Sequence, residues 1–257
     1  MKCKDICNII EKDFPKEYAE GFDNVGLLIG DYNKNINKIL ISLEITEKVI
    51  DEAILNNVDM IISHHPLLFK GLKSITNKSY IGNLVLKLIQ NNICVYAAHT
   101  NFDSANNGMN DLLCEKIGLL NVEKFDNEEI SIGRIGYLEG EKTFIDFCAN
   151  LKKNFKLENI IVSGDLNKSI KKVAVVGGSG SDFLNEALKK KCDCLITGDV
   201  KHHAALDYSN MGINIVDLTH FASEIIFKES FKNFLSSKLE GIIIETSKSE
   251  ENPLKII

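Results

Sequence analysis

The run "IISHHPLLF", Ile61 to Phe69, stops at two adjacent imidazoles that are followed at once by a proline. Neighbouring side chains on a strand point to opposite faces, so His64 and His65 can serve one site only if the chain leaves the strand there. Pro66 favours such an exit, because it removes an N–H from any ladder and biases His65 towards extended or turn geometry. Farther on, His220 is followed four residues later by Glu224, at the head of "FASEIIFKESFKNFLSSKL". On a helix that spacing stacks the two side chains on one face, able to converge on one ion. Together with Asp103 they make a mixed imidazole and carboxylate set: His64, His65, Asp103, His220 and Glu224. Such ligands suit zinc, manganese, iron or cobalt and need no cysteine. Each of two neighbouring imidazoles could then reach a different ion of a pair roughly 3.5–4 Å apart, the separation common in two-metal hydrolytic sites.

Other polar residues carry weaker signals. "GDVKHHAALD" puts Lys201, His202 and His203 at the start of a helical pattern, either as substrate or proton-transfer groups or as a solvated helix end. His99 reads as a partner fixing Asp103, a general acid and base, or a buried residue bonded to backbone. "VVGGSGSDF", Val175 to Phe183, sets glycines between a strand and a helix. A helix start can bind phosphate, but the segment matches neither common nucleotide-binding glycine pattern, and a capped turn is the better reading. Asp23-Asn24 in "FDNVGLL" reads as a turn into the next strand.

The elements that must position these groups alternate. Strand candidates are "VGLLI", "KILISL", "DMIIS", "ICVYAA", "GRIGYL", "NIIVS", "KVAVV", "CLIT", "INIVDL" and "GIIIE", with helical patterns such as "TEKVIDEAILNN" and "YIGNLVLKLIQNN" between most of them. That alternation predicts an α/β architecture with helix-covered sheets. Lys38 to Ser63 also aligns without a gap on Lys172 to Thr197, at an offset of 134, and in both copies the last strand opens with Asp, at Asp59 and Asp193. Downstream, "ICVYAAHTNFD" matches "INIVDLTHFASE", placing His99 opposite His220 and Asp103 opposite Glu224. The expectation is an internal duplication. It gives two similar α/β lobes, residues 1–126 and 127–257, facing each other across a metal-binding cleft, with a C-terminal helix or strand able to pack back on the first lobe.

Composition narrows the classes. The 257 residues carry a formal net charge of −6, with 44% hydrophobic and 26% charged side chains, which is ordinary globular usage and a poor basis for general nucleic-acid binding. No apolar run approaches the roughly 20 residues of a membrane helix, and "MKCKDICNIIEKDF" reads as an amphipathic helix broken by charge rather than a signal peptide. A cytoplasmic protein is expected. Seven scattered cysteines fit reduced thiols, and Cys192 and Cys194 read as core packing rather than a metal pair.

The segments "GFDNVGLLIG", "SHHPLLFKGLK", "AAHTNFD", "GRIG", "VAVVGGSGSDF", "ITGDVKHHAALD" and "HFASE" together resemble the dinuclear-metal proteins known as GTP cyclohydrolase 1 type 2 homologues, or Nif-three-like proteins. The resemblance runs from about residue 20 to residue 240. It implies that His64, His65, Asp103, His220 and Glu224 are the ligands of two divalent ions per chain (zinc, iron or manganese), with Glu224 shared between them. It also implies two similar lobes, a toroidal homohexamer, and a hydrolase that opens a purine nucleotide ring with metal-activated water. It draws Lys201, His202 and His203 towards the cleft, where His202 joins His99 as a candidate catalytic group and Lys201 and His203 are candidate substrate contacts. The partner would be a nucleotide or related heterocycle. Two departures are visible: Phe22 stands where the family usually has Trp, and "DLTH" replaces a more usual small-residue approach to the histidine. Longer members carry an extra domain between the lobes, which this chain is too short to include. The rival reading is a non-catalytic metal-binding scaffold or regulatory adaptor, because the same ligand set serves closed and open sites alike.

Overall fold

In the computed structural model, which describes residues 1–125 and 131–255, strands and helices alternate along most of the chain. In order they are α1 (Cys3–Asp13), β1 (Gly26–Ile29), β2 (Lys38–Ser42), α2 (Glu47–Leu55), β3 (Met60–Ser63), α3 (Tyr80–Gln90), β4 (Cys94–Ala97), α4 (Thr100–Ser104), α5 (Met109–Ile117), β5 (Leu120–Lys124), β6 (Arg134–Thr143), α6 (Phe144–Phe155), β7 (Ile161–Ser163), β8 (Ser169–Val175), α7 (Leu184–Lys189), β9 (Cys194–Thr197), α8 (His202–Asn210), β10 (Asn214–Asp217), α9 (His220–Glu224), α10 (Ile226–Ser236) and β11 (Ile243–Thr246). The fold is mixed α/β with two sheets. Two compact units account for it, one formed by Met1–Phe102 with the chain from Phe227 onward, the other bounded by Asp103 and Ile226.

The first unit holds a five-stranded sheet in the order β1-β4-β3-β2-β11. β2, β3 and β4 are parallel and almost wholly buried, which is why they read as continuous Ile, Leu and Val runs rather than alternating ones. β1 closes one edge antiparallel to β4, and β11 closes the other parallel to β2. α2 starts where Thr46 Oγ1 accepts from Val49 N, and α3 where Ser79 Oγ accepts from Gly82 N. These helices press Val49, Ile50, Ala53, Leu84 and Leu88 onto Leu40, Ile61 and Val95 of the sheet. Register aligns Ser42, Ser63 and Ala97, so the three parallel strands end level.

The second unit holds a six-stranded sheet in the order β5-β6-β8-β9-β10-β7, with β8, β9 and β10 parallel. Its core packs Leu184 and Ala187 of α7 against Ala174, Leu195 and Ile215. Each unit also locks its strand starts in one manner. In the first, Asp59 Oδ2 accepts from Asn37 N and Lys38 N, while Lys34 Nζ donates to the carbonyls of Asp59 and Asn92. In the second, Asp193 Oδ2 accepts from Lys171 N and Lys172 N, while Lys168 Nζ donates to the carbonyls of Asp193 and Gly212. All seven cysteines are buried and unbridged. Among the described residues no helix is long and apolar enough to cross a membrane.

Candidate metal centre

In parallel α/β sheets the carboxyl ends of the strands are where loops gather, and there the first unit assembles its imidazoles. His64 N donates to Ser42 O (3.2 Å) and His65 N to Leu43 O (3.0 Å), so the backbone keeps its pairing while it turns off β3. His64 is fully buried, its ring 5.1 Å from that of Phe227, and its Nδ1 donates to Ala98 O at 2.8 Å. A carbonyl only accepts, so Nδ1 carries the proton and the ring lone pair lies on Nε2. His65 Nδ1 lies 2.6 Å from Glu44 Oε1, and His99 Nδ1 lies 2.9 Å from both Asp23 oxygens. Three imidazoles thus turn Nδ1 to an acceptor, the arrangement that sets tautomer and ring angle in metal-binding histidines. Their ring centroids are 5.0 to 5.3 Å apart, and one ligating atom from each of His64, His65 and His99 lies within 4.8 Å of the others.

Asp23 is the keystone of that cluster. Burial pushes its carboxyl up, but hydrogen bonds from His99, Thr100 and Asn24 N outweigh this and hold it at about 2. Thr100 donates to it twice, from N (3.1 Å) and Oγ1 (2.5 Å), so the "FDN" turn and the start of α4 share one anion. Sequence reading made Asp23 a turn residue and left His99 with three possible roles. The signal that could have joined them was two polar residues at strand-end loops, but nothing in the spacing couples positions 76 apart.

In the second unit α9 carries His220 and Glu224 one turn apart, with Nε2 and Oε2 separated by 3.0 Å. His220 Nδ1 lies 2.7 Å from Asp199 Oδ2, a pairing of the same kind as Glu44 with His65. Thr219 caps the helix through Oγ1 to Ala222 N at φ +70°, a backbone setting that costs a β-branched residue about 1–3 kcal/mol. Gly178 of "VVGGSGSDF" and Gly198 of "ITGDV" both make room for this helix. Gly178 has φ +63°, and a Cβ on it would collide with Glu224 Oε1; a Cβ on Gly198 would come within 2.6 Å of His220 N. The N–H groups of Gly177, Gly178 and Gly180 are taken by Asn110 Oδ1, Ser223 Oγ and Thr197 Oγ1. This is a turn that gives Glu224 room, as the glycines led us to expect, but the expected Ser or Asp cap is not made, since neither short helix that starts there has a side-chain cap, and the three amides are spent on protein acceptors.

Asp103 lies buried on α4, and Asn110 Nδ2 donates to its carbonyl at 3.2 Å. The wholly buried Arg134 of "GRIG" donates to the carbonyls of Ser104 and Ala105 and pairs with Asp111, fixing the chain that follows Asp103. Lys201, His202 and His203 are exposed at the start of α8, with the two imidazole rings 5.3 Å apart. Among the described residues neither His202 nor His203 joins a group of three convergent metal-ligating side chains. Glu44, Asp199, Gly178 and Arg134 were missed as site residues. Glu44 and Asp199 did offer a hint, each being a carboxylate shortly after a parallel strand.

Comparison with known proteins agrees with this architecture. The profile described as Duf34/NIF3 (NGG1p interacting factor 3) matches residues 1–253. A Clostridium perfringens protein named GTP cyclohydrolase 1 type 2 homolog is 42% identical over 266 aligned positions, covering 100% of both chains. Among solved structures, Staphylococcus aureus protein SA1388 superposes with a TM-score of 0.93 at 30% identity, covering 100% of this chain and 99% of that one. Reduced HcgD from Methanocaldococcus jannaschii gives 0.84 at 34% identity, covering 96% and 97%. Histidines at parallel strand ends, full-length relatives and a near-complete profile match lead to one assignment: the chain belongs to the Duf34/NIF3 family.

Proposed function

We propose that this protein is a dinuclear metal-dependent hydrolase acting on a nucleotide or related heterocycle, with His64, His65, Asp103, His220 and Glu224 holding two divalent ions of zinc, iron or manganese. The observation that carries the reading is the orientation of the histidines. His64, His65 and His220 each engage a protein acceptor through Nδ1, which presents Nε2 as the ligating atom. Imidazole and carboxylate donors of this kind fit borderline divalent ions. Such ions, when bound, lower the pKa of water towards neutrality and polarise carbonyl or phosphoryl oxygens. The chain's own contribution is orientation and proton handling. Glu44 and Asp199 hold two ligands in place, Asp23 holds His99 with Nδ1 protonated, and His99 Nε2 is the atom we assign to proton transfer. His202 is assigned as a second proton-transfer group, and Lys201 and His203, exposed beside it, as substrate contacts.

The finer architecture belongs to the same reading: duplicated lobes divided near residue 126, a shared cleft, a toroidal hexamer and a cytoplasmic setting. Its support is the matched pair of locks, Asp59 with Lys34 and Asp193 with Lys168, at the same offset of 134 as the aligned segments. GTP as the substrate is taken from the name of the relatives rather than from any group that selects guanine. A metal-binding adaptor is the second reading, favoured by a family description that speaks of an interacting factor.

The test is metal per chain and turnover on GTP, other nucleotides and simple phosphoesters, for wild type and for Glu224→Ala, His220→Ala, His65→Ala and His202→Ala after identical dialysis. Two ions are expected in wild type and His202→Ala. Fewer than one should remain in Glu224→Ala, because a bridging carboxylate screens two cations from each other. His220→Ala and His65→Ala should each lose mainly one. A folded Glu224→Ala protein retaining two ions would overturn the bridge, and metal-loaded protein inert on every substrate would favour the adaptor.

A further inference from the structure

A phenylalanine ring turned to water forgoes the gain of burial, so two exposed rings held together by an ordered backbone call for an occupant. Phe22 is 65% exposed and Phe69 42% exposed. Neither is on a loose loop. Asp23 N donates to Glu20 O, the Asp23 carboxylate is locked to His99 and Thr100, and Asn24 Nδ2 donates to Leu68 O at 2.5 Å. The last bond ties the turn carrying Phe22 to the residue preceding Phe69. The two rings sit 6.1 Å apart and are tilted by 54°, at the long end of aromatic pairing, so their faces are not consumed by each other. Phe69 in turn meets His99 edge to face at 6.3 Å and 78°. The aromatic pair therefore continues outward from the three-imidazole cluster, on the same turn whose aspartate orients His99.

Two hydrocarbon rings beside imidazoles offer π-faces and no hydrogen-bond donor of their own. Such a surface recognises the flatness of a ring rather than the pattern of its edge, and base-on-aromatic stacking works in this way. We infer that Phe22 and Phe69 form a stacking platform for the planar heteroaromatic ring of a small-molecule substrate, of purine size, whose edge is laid towards His99. The inference rests on the proposed function, since it gives the substrate of that site its chemical class.

The chain contains no tryptophan, so Phe22→Trp makes a single-tryptophan protein whose emission reports on a ring stacked against it. Metal-loaded Phe22→Trp protein would be titrated with guanosine and GTP, and with ribose 5-phosphate and inorganic triphosphate as ringless controls. Quenching by the two ring compounds alone is expected. In the natural background Phe22→Ala and Phe69→Ala should each weaken guanosine binding about tenfold by calorimetry, the loss that one stacking contact brings, with metal content unchanged. Absence of quenching, or guanosine affinity unaltered in both alanine variants, overturns the platform. So does a change of oligomeric mass in these variants with guanosine affinity intact, which would make the rings a subunit contact. The two readings fail separately. Guanosine bound through the rings by a protein that turns nothing over removes the hydrolase and keeps the platform, whereas GTP turnover indifferent to both phenylalanines does the reverse.

Discussion

An imidazole can offer one nitrogen reliably to an ion or a proton only when the other is kept protonated and aimed away, and Glu44, Asp23 and Asp199 are placed to do this for His65, His99 and His220. Room matters at the same scale. Glu224 lies against Gly178, so Gly178→Ala meets both a backbone at φ +63° and a side chain in the way. The substitution should destabilise the fold by about 1–3 kcal/mol and displace the carboxylate, lowering metal content with the protein still folded by circular dichroism. Gly118→Ala is the control, having φ +87° but nothing within 4 Å of a Cβ, so it should cost stability and leave metal content alone. Equal metal content in the two variants would show that Glu224 needs no glycine opposite it. Of these residues, His65, His220 and Glu224 were legible as ligand types in a suggestive spacing. Their partners were not, because Glu44 and His65 are 21 residues apart and meet only when β2 and β3 pair in parallel.

Among the elements, the parallel strands were readable because burial on both faces writes a continuous apolar run. β5 was not, since its residues Leu120 to Glu123 are exposed and carry no such pattern. The placement of β11 beside β2 is likewise a tertiary matter, and the chain that follows β11 is tied down by two carboxylates, Glu250, which accepts from Leu43 N and Glu44 N, and Glu52. Glu52 on α2 accepts from Ser247 Oγ, Lys248 N and Ser249 N. Burial raises its carboxyl, yet these bonds outweigh that and hold it below its ordinary 4.5. A lowered folded value means the anchor contributes fully above 4.5 and is lost as pH falls through the folded value. The protection factors of the Lys248 and Ser249 amides, taken against the pH-dependent intrinsic rate, should therefore fall on acidification, and Glu52→Gln should show the same loss of protection at neutral pH. Unchanged protection in that variant would mean that the tail is held elsewhere.

At the scale of the whole molecule, family resemblance leads us to expect a hexamer, and light scattering at micromolar concentration should return a multiple of the 28.7 kDa chain. A mass near one chain would end that expectation. By itself the sequence determined the α/β class, the strand ends that carry the histidines, and a donor set of imidazoles and carboxylates. Those properties are written in local periodicity, in Pro66 after His65, and in the i,i+4 spacing of His220 and Glu224. Only the tertiary structure decided which acceptor each Nδ1 meets, why Gly178 must lack a side chain, and that Phe22 stands exposed beside Phe69. The physical reason is that periodicity reports which face a side chain turns to, whereas a hydrogen-bond partner or a shared surface depends on which loops the sheet order brings side by side, and that order is set by packing between segments far apart in the chain.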